Sequence, residues 1–130
     1  MFGKVMNVTR CLVVDSCGED REKTTALLQD YGFDVFRAET SEQALSACHT
    51  EMPDVIVVAS SDEPRETPTL LMNLQAAARR LGRAPVILVC DRDPDPRRIG
   101  AAIVHGADEF LVKPFDEAIL DDKLKQFGLA

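Results

Sequence analysis

The sequence predicts a doubly wound α/β sandwich, a parallel five-stranded sheet covered by five helices. Strand-like and helix-like segments alternate five times along the 130 residues. Most strand segments are unbroken apolar runs, as expected of strands covered on both faces. The connections are short, two to about five residues, which suits right-handed crossovers between parallel strands.

Cys11 to Val14 is the first strand. The helix after it, Asp20 to Tyr31, places Leu27, Leu28 and Tyr31 on one face and stops at Gly32. Phe33 to Ala38 alternates at Asp34 and Arg37, which suits a sheet edge with one side in water. Thr40-Ser-Glu-Gln43 is a capping box for a helix carrying Ala44, Leu45, Ala47 and Cys48. Val55 to Val58 is the third strand, and a longer connection rich in Ser, Asp, Glu and Pro follows from Ala59 to Glu66. Thr67 and Pro68 then read as N-cap and first helical residue of a helix through Leu71, Leu74, Ala78 and Leu81, ended by Gly82. Val86 to Cys90 is the fourth strand. Asp95-Pro96 repeats the capping device, with Ile99, Ala102 and Ile103 expected inward and Gly106 past the end. Phe110 to Val112 completes the sheet, and Asp116 caps a last helix with Ile119, Leu120, Leu124 and Phe127, closed by Gly128. Residues 1–130 form one domain, with 1–8 expected to be a flexible N-terminus.

Composition narrows the function classes. A net charge of −7 argues against non-specific nucleic-acid binding, which rests on neutralising phosphates. The local clusters Arg79, Arg80 and Arg83, and Arg92, Arg97 and Arg98, read as solvated helix ends. No apolar stretch approaches the ~18 residues a membrane helix needs, and Met1 to Arg10 lacks the apolar core of a secretory signal. The four cysteines have no metal-ligand spacing. Cys11, Cys48 and Cys90 read as small hydrophobes, and Cys17, in a polar turn, as the exposed thiol. The chain is expected to be cytoplasmic, without cofactor, and with neither nucleic acid nor membrane as partner. His49 and His105 sit at helix C-termini, favourable against the dipole, and have no ligand role.

In open α/β sheets ligands bind outside the carboxyl ends of the strands. The residues there are Asp15 and Ser16, Ala59 and Ser60, Cys90 and Asp91, and Lys113. With Leu12-Val-Val-Asp15, Pro53-Asp54-Val-Ile-Val-Val58, Pro85-Val-Ile-Leu-Val89 and Gly106-Ala-Asp-Glu-Phe-Leu-Val-Lys-Pro-Phe115 in this order, the chain resembles a two-component response-regulator receiver domain, CheY-like. The resemblance covers nearly the whole chain and implies a flavodoxin-like strand order of 2-1-3-4-5.

What it implies residue by residue is uneven. The family's phosphate-accepting aspartate falls on Ala59, which has no carboxylate. The pair of acids that hold a divalent metal is reduced to Asp15 beside Ser16, at most a weak Mg²⁺ site. The hydroxyl residue after the fourth strand is replaced by Cys90, a weak donor. The glycine after the acceptor loop is lost near Pro68. Lys113 is retained, Pro114 after it is cis in the family, and Phe110 is the aromatic switch position. Phosphoryl transfer to a carboxylate needs the nucleophile and a metal to neutralise the phosphoryl oxygens. The expected pocket is therefore a degenerate phosphorylation pocket of Asp15, Ser16, Ala59, Ser60, Cys90 and Lys113, with no catalytic residue and no metal.

Asp15 and Lys113 are expected to pair, since a partly buried ammonium needs a partner to stay charged. Asp62 and Glu63 could swing toward Lys113 and stand in for the missing acid, although a solvated loop is the plainer reading. The expected function is a stand-alone pseudo-receiver, not an enzyme. It would act as a phosphorylation-independent adaptor that binds a histidine kinase, regulator or other signalling protein. Its partner face, by analogy with the family, is the fourth helix, fifth strand and fifth helix, with Arg97, Arg98, Ala101, Val104, Phe110, Glu117 and Lys123. The same face could pair two copies, and no output domain is expected after Ala130. The alternative is a phospho-accepting regulator with a displaced acceptor, Asp62 or Ser60. A small cofactor-binding protein is disfavoured because no Gly-x-Gly turn cradles phosphate.

Overall fold

The computed structural model describes residues 8–130, so of the N-terminus expected to be flexible only Val8 falls inside the described residues. Among the described residues ten elements alternate strictly. They are β1 (Arg10–Val14), α1 (Gly18–Gln29), β2 (Asp34–Ala38), α2 (Ser41–Thr50), β3 (Val55–Ala59), α3 (Glu66–Arg80), β4 (Val86–Asp91), α4 (Pro96–Val104), β5 (Glu109–Val112) and α5 (Glu117–Gln126). The strands form one sheet in the order β2-β1-β3-β4-β5, every neighbouring pair parallel. Strand order and architecture are those the sequence predicts, with the alternating β2 at an edge.

The unbroken apolar strands feed two cores. Leu12, Val14, Ile56, Val58, Ile87 and Val89 pack with Cys48 of α2, Leu71 and Leu74 of α3 and Ala102 of α4. Their neighbours Cys11, Val13, Val55, Val57, Leu88 and Leu111 pack with Leu28 of α1 and Leu120 and Leu124 of α5. This is the strand period of two, read on both faces. Each fully buried Leu, Ile or Val contributes about 1.5–3 kcal/mol.

Caps follow the sequence closely. Thr40 Oγ1 accepts from the Gln43 N–H (3.1 Å), Asp95 Oδ1 from Arg97 (2.9 Å), and Asp116 Oδ1 from Ile119 (3.0 Å). The return bond of Gln43 goes one residue further out than expected, accepting from the Glu39 N–H at 2.8 Å.

Several expected details are corrected. Helix α1 starts at Gly18 rather than Asp20, and its buried residues are Thr24, Thr25 and Leu28, with Leu27 and Tyr31 only half-buried. Thr25 can be interior because its hydroxyl donates to the Arg21 carbonyl at 2.8 Å. Helix α3 starts at Glu66, so Thr67 and Pro68 lie within its first turn instead of capping it. First-turn N–H groups have no intrahelical acceptor, so proline costs nothing there. Thr67 Oγ1 is then free to accept from the Ser61 N–H at 2.9 Å. Leu81, Ile103 and Ile119 are exposed, not inward. Helical periodicity sees an apolar stripe, and the sheet covers only part of it.

Gly106 closes α4 at φ +120°, and a side chain there would run into the Gln75 amide, which donates to the Gly106 carbonyl. Gly106→Ala should lower the unfolding free energy by more than ~1 kcal/mol, from strain at positive φ and displacement of Gln75. Urea denaturation would show it as a lower midpoint at unchanged slope.

Candidate functional site

Parallel strands bring their carboxyl ends to one edge, and the retained lysine meets its acids there. Asp15 follows β1, fixed by its N–H to the Ala38 carbonyl at 3.0 Å. Its Oδ1 accepts from the Cys17 N–H (2.9 Å) and its Oδ2 from Lys113 Nζ (2.8 Å). The expected Asp15–Lys113 pair is present, with side chains 5% and 10% exposed. The Lys113–Pro114 peptide that follows is cis, as the resemblance implies.

A second acid completes the pair, one the sequence did not single out. Asp20, in the first turn of α1, places Oδ2 at 3.0 Å from Lys113 Nζ and 2.6 Å from Arg92 Nη2. Arg21 secures the same turn, donating to the Asp15 carbonyl at 2.9 Å and lying 3.5 Å from Glu39. Burial alone would push the Lys113 ammonium down, but hydrogen bonds to Asp15 and Asp20 and the surrounding negative charge hold it above the usual lysine value.

The other strand ends carry no acid toward this lysine. Ala59 ends β3, half-buried, opposite Cys90 in the ladder. The Ser60 N–H donates to the Cys90 carbonyl at 2.8 Å. Burial pushes the Cys90 thiol up to about 12, so it stays protonated and is a poor nucleophile. Asp91 turns the other way, accepting from Arg98 Nε at 2.7 Å, and the Asp93 N–H donates to it at 3.1 Å. The two loop acids do not swing in: Asp62 is exposed and its charge falls on Arg98, while Glu63 accepts from the Arg65 N–H at 3.2 Å. Glu66, also not singled out, reaches Ser41 Oγ (3.3 Å) and Ser61 Oγ (3.1 Å) beside a cavity of about 210 Å³ that Asp15 also lines.

Mg²⁺ requires near-octahedral oxygen ligands, typically one or two carboxylates with waters. Here both Asp15 oxygens are engaged, one by an ammonium, and Ala59 offers none. Among the described residues no group of three acids, histidines or cysteines converges as metal ligands. The donor set does not fit the ion.

Asp20 and Asp91 both sit below the usual aspartate range. At Asp20 the Lys113 hydrogen bond leads, burial opposes, and Arg92 adds. At Asp91 burial pushes upward, but the Asp93 N–H and Arg98 outweigh it. A carboxyl depressed in the folded state stabilises it above the unfolded value near 3.8 and loses that contribution as pH falls through the folded value. Urea titrations should therefore show stability level above about pH 5 and falling below about pH 4.

The expected partner face is corrected at one position. Arg97, Ala101, Val104 and Glu117 are exposed, while Arg98 and Lys123 are half-buried and paired with Asp91 and Glu109. Phe110 is 7% exposed and belongs to the core around Val89 and Ala102. The exposed apolar residues of α4, β5 and α5 also include Ile103, Val112 and Ile119.

Comparison with known proteins gives a consistent result. The family described as "Response regulator receiver domain" matches residues 11–125. Protein PilH of Pseudomonas aeruginosa is 29% identical over 117 residues, 87% of this chain and 92% of that protein. The chemotaxis protein CheY4 of Vibrio cholerae superposes with a TM-score of 0.81 at 23% identity, covering 92% of this chain and 98% of that one. The receiver domain of sensor histidine kinase PA1611 from Pseudomonas aeruginosa, solved with a magnesium ion in its active-site cleft, superposes with a TM-score of 0.78 at 18% identity, covering 92% and 97%.

Proposed function

The chain belongs to the response regulator receiver domain family, and from that premise we propose that it is a pseudo-receiver, a protein-binding module that works without phosphorylation. Receiver domains interact with histidine kinases and other signalling proteins, and this one keeps the scaffold for such contacts. The observation that carries the reading is Lys113 neutralised by Asp15 and Asp20, with Ala59 at the end of β3. The charge a phosphoryl group would bring is already supplied, and the carboxylate that would accept it is missing. A step that forms an acyl phosphate has no nucleophile at β3 and no fitting metal site.

On this reading the module is cytoplasmic, is not an enzyme, and takes neither nucleic acid nor membrane as partner. No helix among the described residues is long and apolar enough to cross a membrane. Binding falls to α4, β5 and α5, which expose the apolar Ile103, Val104, Val112 and Ile119 as well as the charged Arg97 and Glu117. Exposed apolar side chains with charged ones on the same elements suit a protein partner, including a second copy. A displaced acceptor is not favoured: the acceptors at Lys113 Nζ are Asp15 and Asp20, and Asp62 is exposed in the loop.

Intact-mass measurement after incubation with Mg²⁺ and a small-molecule phosphodonor, beside a competent receiver, tests this. No gain in mass is expected while the control is modified. A gain of one phosphoryl group would overturn the reading and direct peptide mapping to Ser60–Glu63.

A further inference from the structure

Lys113 and Arg92 converge on one carboxylate oxygen that no strand end supplies. Asp20 Oδ2 comes from α1, 3.0 Å from Lys113 and 2.6 Å from Arg92. The cluster of Asp15, Asp20, Lys113 and Arg92 has two charges of each sign and is neutral as it stands. Arg92 lies in the connection between β4 and α4. That connection is pinned at its far end by the Asp91–Arg98 ion pair and by the Asp95 cap of α4. Two ion pairs, Asp20–Arg92 and Asp91–Arg98, joined by the Asp91–Arg92 peptide, thus tie α1 to the connection and the connection to the first turn of α4. Beside it opens a cavity of about 300 Å³, to which Cys17, Asp20, Lys23, Arg92 and Lys113 contribute. Charge-assisted bonds of this kind are about twice as strong as neutral ones; the low exposure of Asp15, Asp20 and Lys113 limits screening among them, whereas Arg92 is mostly exposed.

We propose that Asp20 is a built-in counter-anion: it occupies the place beside Lys113 that an external oxyanion would take, and it clamps the β4–α4 connection to α1. The clamp masks a latent oxyanion site, and it fixes the start of α4, hence the binding face, with nothing bound. The inference rests on the pseudo-receiver reading in one respect, that the pocket is not charged by phosphorylation.

Chemical rescue tests it. Asp20→Asn removes the charge and keeps the size. Hydrogen exchange at the Arg98 and Ile99 amides, which bond to the Asp95 carbonyl, should then quicken about tenfold. Millimolar sulfate should restore protection in the variant, against a chloride control at equal ionic strength. It should leave the wild-type protein unchanged. Asp20→Glu should retain most of the protection. Unaltered exchange in Asp20→Asn overturns the proposal, and so does faster exchange that sulfate does not reverse beyond chloride. If Asp20→Asn does not fold, folding driven by sulfate and not by chloride supports the clamp, and failure of both overturns it. No Mg²⁺ or phosphodonor is present, so this outcome is separate from the mass measurement. A phosphoryl gain there would sink the pseudo-receiver and with it the masking of the oxyanion site, whereas the ionic clamp is decided by the exchange measurement alone.

Discussion

Asp15→Ala is expected to lower the unfolding free energy by about 2–3 kcal/mol, although residue 15 would touch no ligand in this reading. Asp15 is nearly fully buried and accepts from both Lys113 Nζ and the Cys17 N–H. Truncation leaves a buried ammonium with one carboxylate instead of two, and a helix-entry amide without its acceptor. Loss of one partner of a buried pair commonly costs about 3–5 kcal/mol, and Asp20 reduces that cost here. Removing both charges in Asp15→Ala with Lys113→Met should cost less than the sum of the two single changes, because no unpaired charge then stays buried. Chemical denaturation of the four proteins in this cycle measures the coupling. Thermal melts in which Asp15→Ala matches the wild type would remove the pair from the account of stability.

Phe110→Ala is expected to act on the fold rather than on a partner, costing about 3–5 kcal/mol. The ring packs in the core with Val89, Ala102 and Ala107 and has almost no exposed surface. A residue that merely presented itself to a partner would be neutral in denaturation and would weaken binding. The two roles therefore separate cleanly by urea titration. Val104, 81% exposed, is the control: its truncation should leave stability within about 0.5 kcal/mol of the wild type.

The fold was legible because strands buried on both faces leave unbroken runs such as Val55–Val58, and because helix caps are local chemistry. Thr40, Asp95 and Asp116 each act within three residues of themselves. The Asp15–Lys113 pair was legible because both residues sit at strand ends, which a parallel sheet must gather. Asp20 was not, since an acid in the first turn of a helix is expected for the helix dipole alone. Its partner Lys113 is 93 residues away. The one usable signal was position: the start of α1 follows directly on the end of β1, at the same edge of the sheet as Lys113. Ile103 and Ile119 failed for a different reason. Periodicity marks apolar residues on a helix without saying whether the sheet or another protein covers them. Phe110 failed in the opposite direction, an aromatic assigned to the surface by analogy that the α4–β5 packing encloses.

The four cysteines carry a practical consequence. Burial pushes Cys11 and Cys90 to about 12 and Cys48 to about 11, and all three are enclosed, whereas Cys17 is exposed. Only the thiolate attacks a maleimide, so the native chain should take up one dye, at residue 17, with no prior mutagenesis. That residue lines the cavity shared by Asp20, Arg92 and Lys113. A solvent-sensitive fluorophore there would turn any opening of the α1 end of the pocket, by mutation or by a docking protein, into a change of colour or intensity.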